Sequence, residues 1–128
     1  MSTLKSVMPA LKVGEMESAV RFYTERLGFS IAWRVPGDGG GENCMLQAGQ
    51  VAVLLSTSTH LGASPQFTGT IYFDVDDVDG LWDAVRLTAD VVWPISDMEY
   101  GTREFGVRDP DGYVLAFAEQ REKSRDRL

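Results

Sequence analysis

One arrangement occurs twice along this chain: a strand, a helix, then three strands. Val7 to Val13 alternates as a strand, with Met8, Ala10 and Lys12 on one side, and Pro9 marks it as a strand start or edge. Glu15 to Leu27 reads as a helix, because Met16, Ala19, Val20, Tyr23 and Leu27 recur at spacings of three and four. Gly28 suits its C-cap. Phe29 to Val35 is the next strand, Pro36 to Gly41 a glycine-rich loop, and Cys44 to Ala48 with Val51 to Ser56 a hairpin.

After a polar linker the order begins again. Thr70 to Val75 is a strand, and Asp76, Asp77 and Asp79 open a helix carrying Val78, Leu81, Trp82 and Val85. Val91 to Ile95 is a strand with Pro94 in it, followed by a loop from Ser96 to Thr102. Arg103 to Arg108 and Tyr113 to Glu119 are strands joined by Asp109-Pro110-Asp111-Gly112, strong turn chemistry. The charged segment Gln120 to Leu128 reads as a fraying tail. A duplicated pattern restricts the fold more than any single motif. The expectation is one α+β domain of two βαβββ units, residues 7–56 and 69–119. Their curved mixed sheet would leave the face opposite the helices as a ligand trough.

Composition narrows the function classes. A chain of 128 residues with 44% hydrophobic and 24% charged residues is normal for one packed core. The formal net charge of −7 argues against nucleic acid and against anionic membranes. No apolar run approaches the ~20 residues needed to span a bilayer. Met1 to Val13 lacks the form of a signal peptide, so a cytoplasmic location is expected. Cys44 is the only cysteine and His60 the only histidine, so neither a disulfide nor a cysteine-based zinc site is expected.

Three stretches resemble the vicinal-oxygen-chelate superfamily (glyoxalases, bleomycin resistance proteins and dioxygenases). They are Met16-Glu17-Ser18-Ala19-Val20-Arg21-Phe22-Tyr23 with Leu27-Gly28-Phe29, Tyr72-Phe73-Asp74-Val75-Asp76-Asp77-Val78, and Arg103 to Tyr113. The last, with Tyr100-Gly101 ahead of it, is most similar to bleomycin-resistance-type members. The resemblance implies a divalent metal held at positions that fall here on Met8, Thr70 and Ala116. A thioether, a hydroxyl and a methyl group do not make a hard-metal site. Neither metal nor any other cofactor is therefore expected, and the family's Lewis-acid chemistry lacks its electrophile. The resemblance also implies a homodimer.

What remains points to a metal-free protein that binds a small, antibiotic-like ligand, planar or cationic. Alternation places Thr70, Tyr72 and Asp74 on the trough side, with Val114, Ala116 and Ala118. Trp33, Tyr72, Trp93 and Tyr100 are candidates to stack on ligand rings, and a cation would gain about 0.5–2 kcal/mol there. Asp74 and Glu104 are candidates for charge complementarity, although Arg103 and Glu104 could instead pair with each other or with a neighbouring chain. Glu42 is a further acidic group near the loop. Two alternatives accompany this reading. One is a metal-dependent lyase or dioxygenase with an atypical site from Asp74, Glu104, Glu119 or His60. The other is metal-free acid–base catalysis by Asp74 or Glu104.

Overall fold

The computed structural model describes residue 2 and residues 5–121. The chain divides into two units, Met1–Gln66 and Phe67–Leu128, each built on its own four-stranded mixed sheet.

In the first unit the sheet order is β1-β4-β3-β2, from β1 (Ala10–Lys12), β2 (Ser30–Pro36), β3 (Glu42–Ala48) and β4 (Val51–Ser56). β1 runs parallel to β4, and the other pairs are antiparallel. Pro9 precedes β1 because only its carbonyl is needed, and it accepts from Leu54 N at 2.9 Å. Helix α1 (Met16–Arg21) is capped by the Glu15 carboxylate, which accepts from Ser18 N and Glu17 N. Met16, Ala19 and Val20 of α1 are buried, as are Leu11, Cys44, Leu46, Val53 and Leu55 of the sheet.

The single helix expected from Glu15 to Leu27 is instead six α-helical residues followed by a π-helical turn, Phe22–Arg26. The Thr24 hydroxyl donates to the Val20 carbonyl at 2.9 Å, competing with the backbone ladder. The widened turn keeps Tyr23 fully buried, edge-on to both Phe22 and Phe29. Gly28, at φ +78°, then ends the segment in the left-handed region.

The second unit repeats the plan as β5-β8-β7-β6: β5 (Thr70–Asp74), β6 (Asp90–Asp97), β7 (Thr102–Arg108) and β8 (Val114–Gln120). β5 is parallel to β8. Helix α2 (Val78–Val85) is capped by Asp77, which accepts from Gly80 N at 3.1 Å. The core under α2 is aromatic: Phe105 lies 5.1 Å from Trp82 and 5.3 Å from Phe117, and Phe117 stacks on Phe73 at 5.2 Å. Asp109 closes the β7–β8 turn by accepting from Asp111 N and Tyr113 N, both at 2.9 Å, with Gly112 at φ +90°.

Several expected boundaries differ. β6 runs on to Asp97, so the expected loop from Ser96 shrinks to a turn at Met98–Gly101, where Met98 N donates to the Thr102 carbonyl at 2.7 Å. Strand pairing carries past Pro94 because a register irregularity there absorbs its missing donor. Gln120 belongs to β8, and Arg121 is tied to Asp79 and Glu119; the rest of the expected tail, 122–128, lies outside the described residues. Glu42 opens β3 and is held by Arg34, which also binds Glu17.

Candidate ligand site in the second unit

Register fixes which side chains share the face away from α2. Phe105 packs on Trp82 of α2, so Glu104 and Gly106, its neighbours in β7, point the other way. Paired residues share a face, which gives two rows across the sheet. One runs Tyr72, Ala116, Gly106, Trp93, and the other runs Asp74, Ala118, Glu104, Ser96. The first row is aromatic at both ends and small in the middle, while the second carries the acids.

The missing side chain at Gly106 has a visible use. A Cβ built there would fall 2.6–2.7 Å from three atoms of the Trp93 ring, so the indole lies directly over this glycine. The Trp93 Nε1 is buried without a hydrogen-bond partner among the described residues. A register shift between Val91 and Trp93 sets the ring there. The first unit has a matching shift between Ile31 and Trp33, but Trp33 pairs with Met45, which has a full side chain, and remains 41% exposed.

Next to Trp93's row, Tyr72, Phe73, Asp74, Ala118 and Gln120 line a concavity of about 470 Å³. Ala118 supplies a short side chain between β5 and β7. Glu104, opposite Ala118, is only 1% exposed. It does not pair with Arg103, as one expectation had it. Arg103 lies on the other face and binds Asp79 at 2.9 Å and Asp97 at 3.2 Å, because alternation separates neighbours in a strand. Glu104 accepts instead from the Thr102 hydroxyl at 2.8 Å. Among the described residues Glu104 forms no ion pair. Lost hydration, and then the neighbouring Glu104, push the Tyr100 hydroxyl up to about 12.

The structure thus gathers Tyr72, Asp74, Trp93, Tyr100 and Glu104 within the second unit. Trp33 belongs to the first unit, on β2. Sequence reasoning missed Thr102, Gln120 and the glycine under Trp93. The Thr-x-Glu spacing was the available signal, since it puts a hydroxyl and a carboxylate on one strand face. Asp79 was expected to cap α2, yet it serves as the anchor for Arg103 and Arg121, and their hydrogen bonds hold its carboxyl below the usual range.

Donor chemistry decides the fit of a divalent metal. The side chains of Met8, Thr70 and Ala116, on which the resemblance would put the metal ligands, do not fit such an ion. Nor does any group of three or more His, Cys, Asp or Glu residues come together among the described residues. His60 is engaged with Asp38, its Nδ1 lying 2.8 Å from Oδ2. No helix of the described residues is long and apolar enough to cross a membrane.

Comparison with known proteins places the chain. The family model described as the glyoxalase/bleomycin resistance protein/dioxygenase superfamily matches residues 4–117. The bleomycin resistance proteins of Geobacillus stearothermophilus and Staphylococcus aureus are each 25% identical over 131 residues, covering 88% of this chain and 95% of theirs. Among solved structures, TnmS3, an antibiotic binding protein from Streptomyces sp. CB03234, superposes with a TM-score of 0.76 at 20% identity, covering 94% of this chain and 98% of that one. TioX from Micromonospora sp. ML1 superposes at 0.72 with 25% identity, covering 91% and 99%. Both the sequence match and the twin four-stranded sheets lead to one statement: the chain belongs to the glyoxalase/bleomycin resistance protein/dioxygenase superfamily.

Proposed function

We propose that this protein is a metal-free binder of a planar, antibiotic-like small molecule, neutral or cationic, held on the second unit's sheet. One observation carries the reading: a concavity of about 470 Å³ with Tyr72 and Asp74 on one wall and Ala118 beneath. That volume falls in the range of small-molecule sites, and an aromatic wall beside a few polar groups is their usual make-up. The bleomycin resistance proteins and the antibiotic-binding TnmS3 support the same ligand class. Sequestration of an antibiotic by a homodimer is the role this proposal assigns.

Titration of tryptophan fluorescence with bleomycin and a panel of planar aromatic antibiotics tests it. Saturable quenching that disappears in Ala118→Leu, with that variant's circular dichroism unchanged, is the expected result. Absence of binding across the panel refutes the function, and quenching that survives Ala118→Leu refutes the location. Light scattering reports the mass of the assembly and would contradict the dimer by showing a single chain. Transfer of the same variant into an antibiotic-sensitive bacterium separates binding from protection.

A further inference from the structure

Strands β5 and β6 are the two edges of the second unit's sheet, and they are built differently. β6 carries Pro94 and a register irregularity on either side of Trp93, devices that keep an edge from pairing with another chain. β5 has neither. Its residues Thr70–Asp74 run in unbroken register with Val114 to Ala118 and include no proline or lysine. Val75 N donates to the Ala118 carbonyl at 2.9 Å, so the main chain of Val75 is turned toward β8. Amide direction alternates along a strand, so Ile71 and Phe73 also face β8, while Tyr72 and Asp74 turn their N–H and C=O groups to the open side. Among the described residues no hydrogen bond reaches the main chain of Tyr72 or Asp74 from that side. The concavity is lined by Tyr72, Phe73 and Asp74 in succession, with Ala118 and Gln120. A hollow on one face of a sheet meets every second residue of a strand, whereas one that meets three in a row wraps round the strand's open edge. The outward main-chain groups of Tyr72 and Asp74 therefore lie along it.

We propose that the ligand of this site carries an extended arm of secondary amides, which adds to β5 as a short extra strand on the N–H and C=O groups of Tyr72 and Asp74. The inference rests on the second unit's sheet being the ligand site, and it adds to the planar part of the ligand a second chemical element. Strand addition takes its affinity from main-chain hydrogen bonds and its selectivity from the side chains that flank them. Here the flanking groups are the Tyr72 ring, 57% exposed and able to meet a planar group, and the exposed Asp74 carboxylate, which favours a cationic arm. Tyr72 and Asp74 stand roughly 7 Å apart along the strand, so an arm of dipeptide length meets both. A concavity of about 470 Å³ holds an arm of this size rather than a protein strand with its flanking turns.

Three probes form the test: 2-naphthoyl-valyl-valine methylamide, its counterpart with ester oxygens in place of the two valine N–H groups, and 2-naphthamide as the bare ring. The ester keeps the shape and the extended form and removes the donors. The wild-type chain is expected to bind the amide arm about tenfold more tightly than the ester arm or the bare ring. Amide hydrogen exchange by NMR reads the contact directly. In the free chain the Phe73 N–H should exchange slowly and those of Tyr72 and Asp74 fast, and the amide-armed probe should slow both by about tenfold or more. Asp74→Pro removes one outward donor, which an edge strand tolerates, and Asp74→Ala is its control with the N–H kept. The proline variant should bind the amide arm about tenfold more weakly than the alanine variant. The ester and exchange measurements need no variant and decide the matter even if the proline chain does not fold. Equal affinity for the amide and ester arms, exchange at Tyr72 and Asp74 that the probe does not slow, or equal binding by the two variants would each overturn the inference. The binding function then stands if the antibiotics still quench tryptophan fluorescence, and falls as well if they do not. Protection of the two amides that grows with protein concentration alone would put a second copy of the chain on this edge and overturn the inference.

Discussion

Gly106→Ala adds one methyl group at the place where the structure has least room for it. The new Cβ would lie 2.6 Å from Cζ3 of Trp93 and 2.7 Å from Cε3 and Cη2. Carbon atoms in contact settle at about 3.5–4.0 Å, so the ring must retreat by roughly 1 Å. Three atoms of a rigid indole are involved, and rotation of one terminal bond cannot relieve all three. Overpacking of this kind costs about 1–3 kcal/mol. A domain of this size loses roughly 4 °C of Tm per kcal/mol, so melting should fall by about 4–12 °C. Thermal unfolding by circular dichroism measures the drop, and fluorine NMR of 5-fluorotryptophan-labelled protein follows the displaced ring. Ligand quenching of Trp93 should weaken in the same variant. A Tm within about a degree of wild type, with the Trp93 resonance unmoved, would show that the indole does not lie on Gly106 and would remove one end of the aromatic row.

Two further outcomes follow from the surroundings of single groups. Cys44 is fully buried and burial pushes its thiol up, so a disulfide reagent should modify it only through opening of the first unit, with rates that climb steeply in urea; labelling of the native chain at the speed of a free thiol would contradict its placement. Asp79 is held below the usual carboxyl range by Arg103 and then Arg121, so its contribution is present above the unfolded-state value and is lost as pH falls through the folded one. Asp79→Asn should flatten the acid limb of a urea-midpoint-against-pH curve, and high salt should shrink the difference because these groups are exposed; an unchanged acid limb would count against the pairing.

Much of the fold was legible because two periodicities do not interfere. Alternation placed Phe73, Leu115 and Phe117 on one face; Phe73 and Phe117 join Phe105 in the aromatic core, and Leu115 is buried. The turn residues from Asp109 to Gly112 announced the last hairpin, and its carboxylate caps that turn as such a sequence requires. The helix after Gly14 was legible in extent but not in kind, because the π turn comes from a hydroxyl bonding back to the Val20 carbonyl, which leaves no mark on hydrophobic spacing. Tyr72, Asp74 and Glu104 could be placed on one face by counting in twos. That Glu104 is buried and bonded by the Thr102 hydroxyl could not, since depth depends on what packs over a strand and not on its alternation.

The duplication hides a physical asymmetry that bears on function. Both units bulge just before a tryptophan in the strand after the helix, so both carry that ring at the sheet's edge. What differs is the residue opposite and its neighbours. In the first unit Met45 and Leu54 stand side by side, alternating with the buried Cys44, Leu46, Val53 and Leu55. In the second unit the corresponding run is Gly106 and Ala116, with Ala118 beside Glu104. Removing side-chain volume there costs packing, because cores are dense and a vacated position is not refilled by movement alone. Gly106 and Ala116 leave the second unit open where the first carries Met45 and Leu54, and the strip they vacate adjoins the buried Glu104, which fits the proposed ligand site. Ala118→Leu, which adds bulk beside the concavity rather than under Trp93, should keep the circular dichroism and remove binding, which makes it the substitution that distinguishes a site from a packing defect.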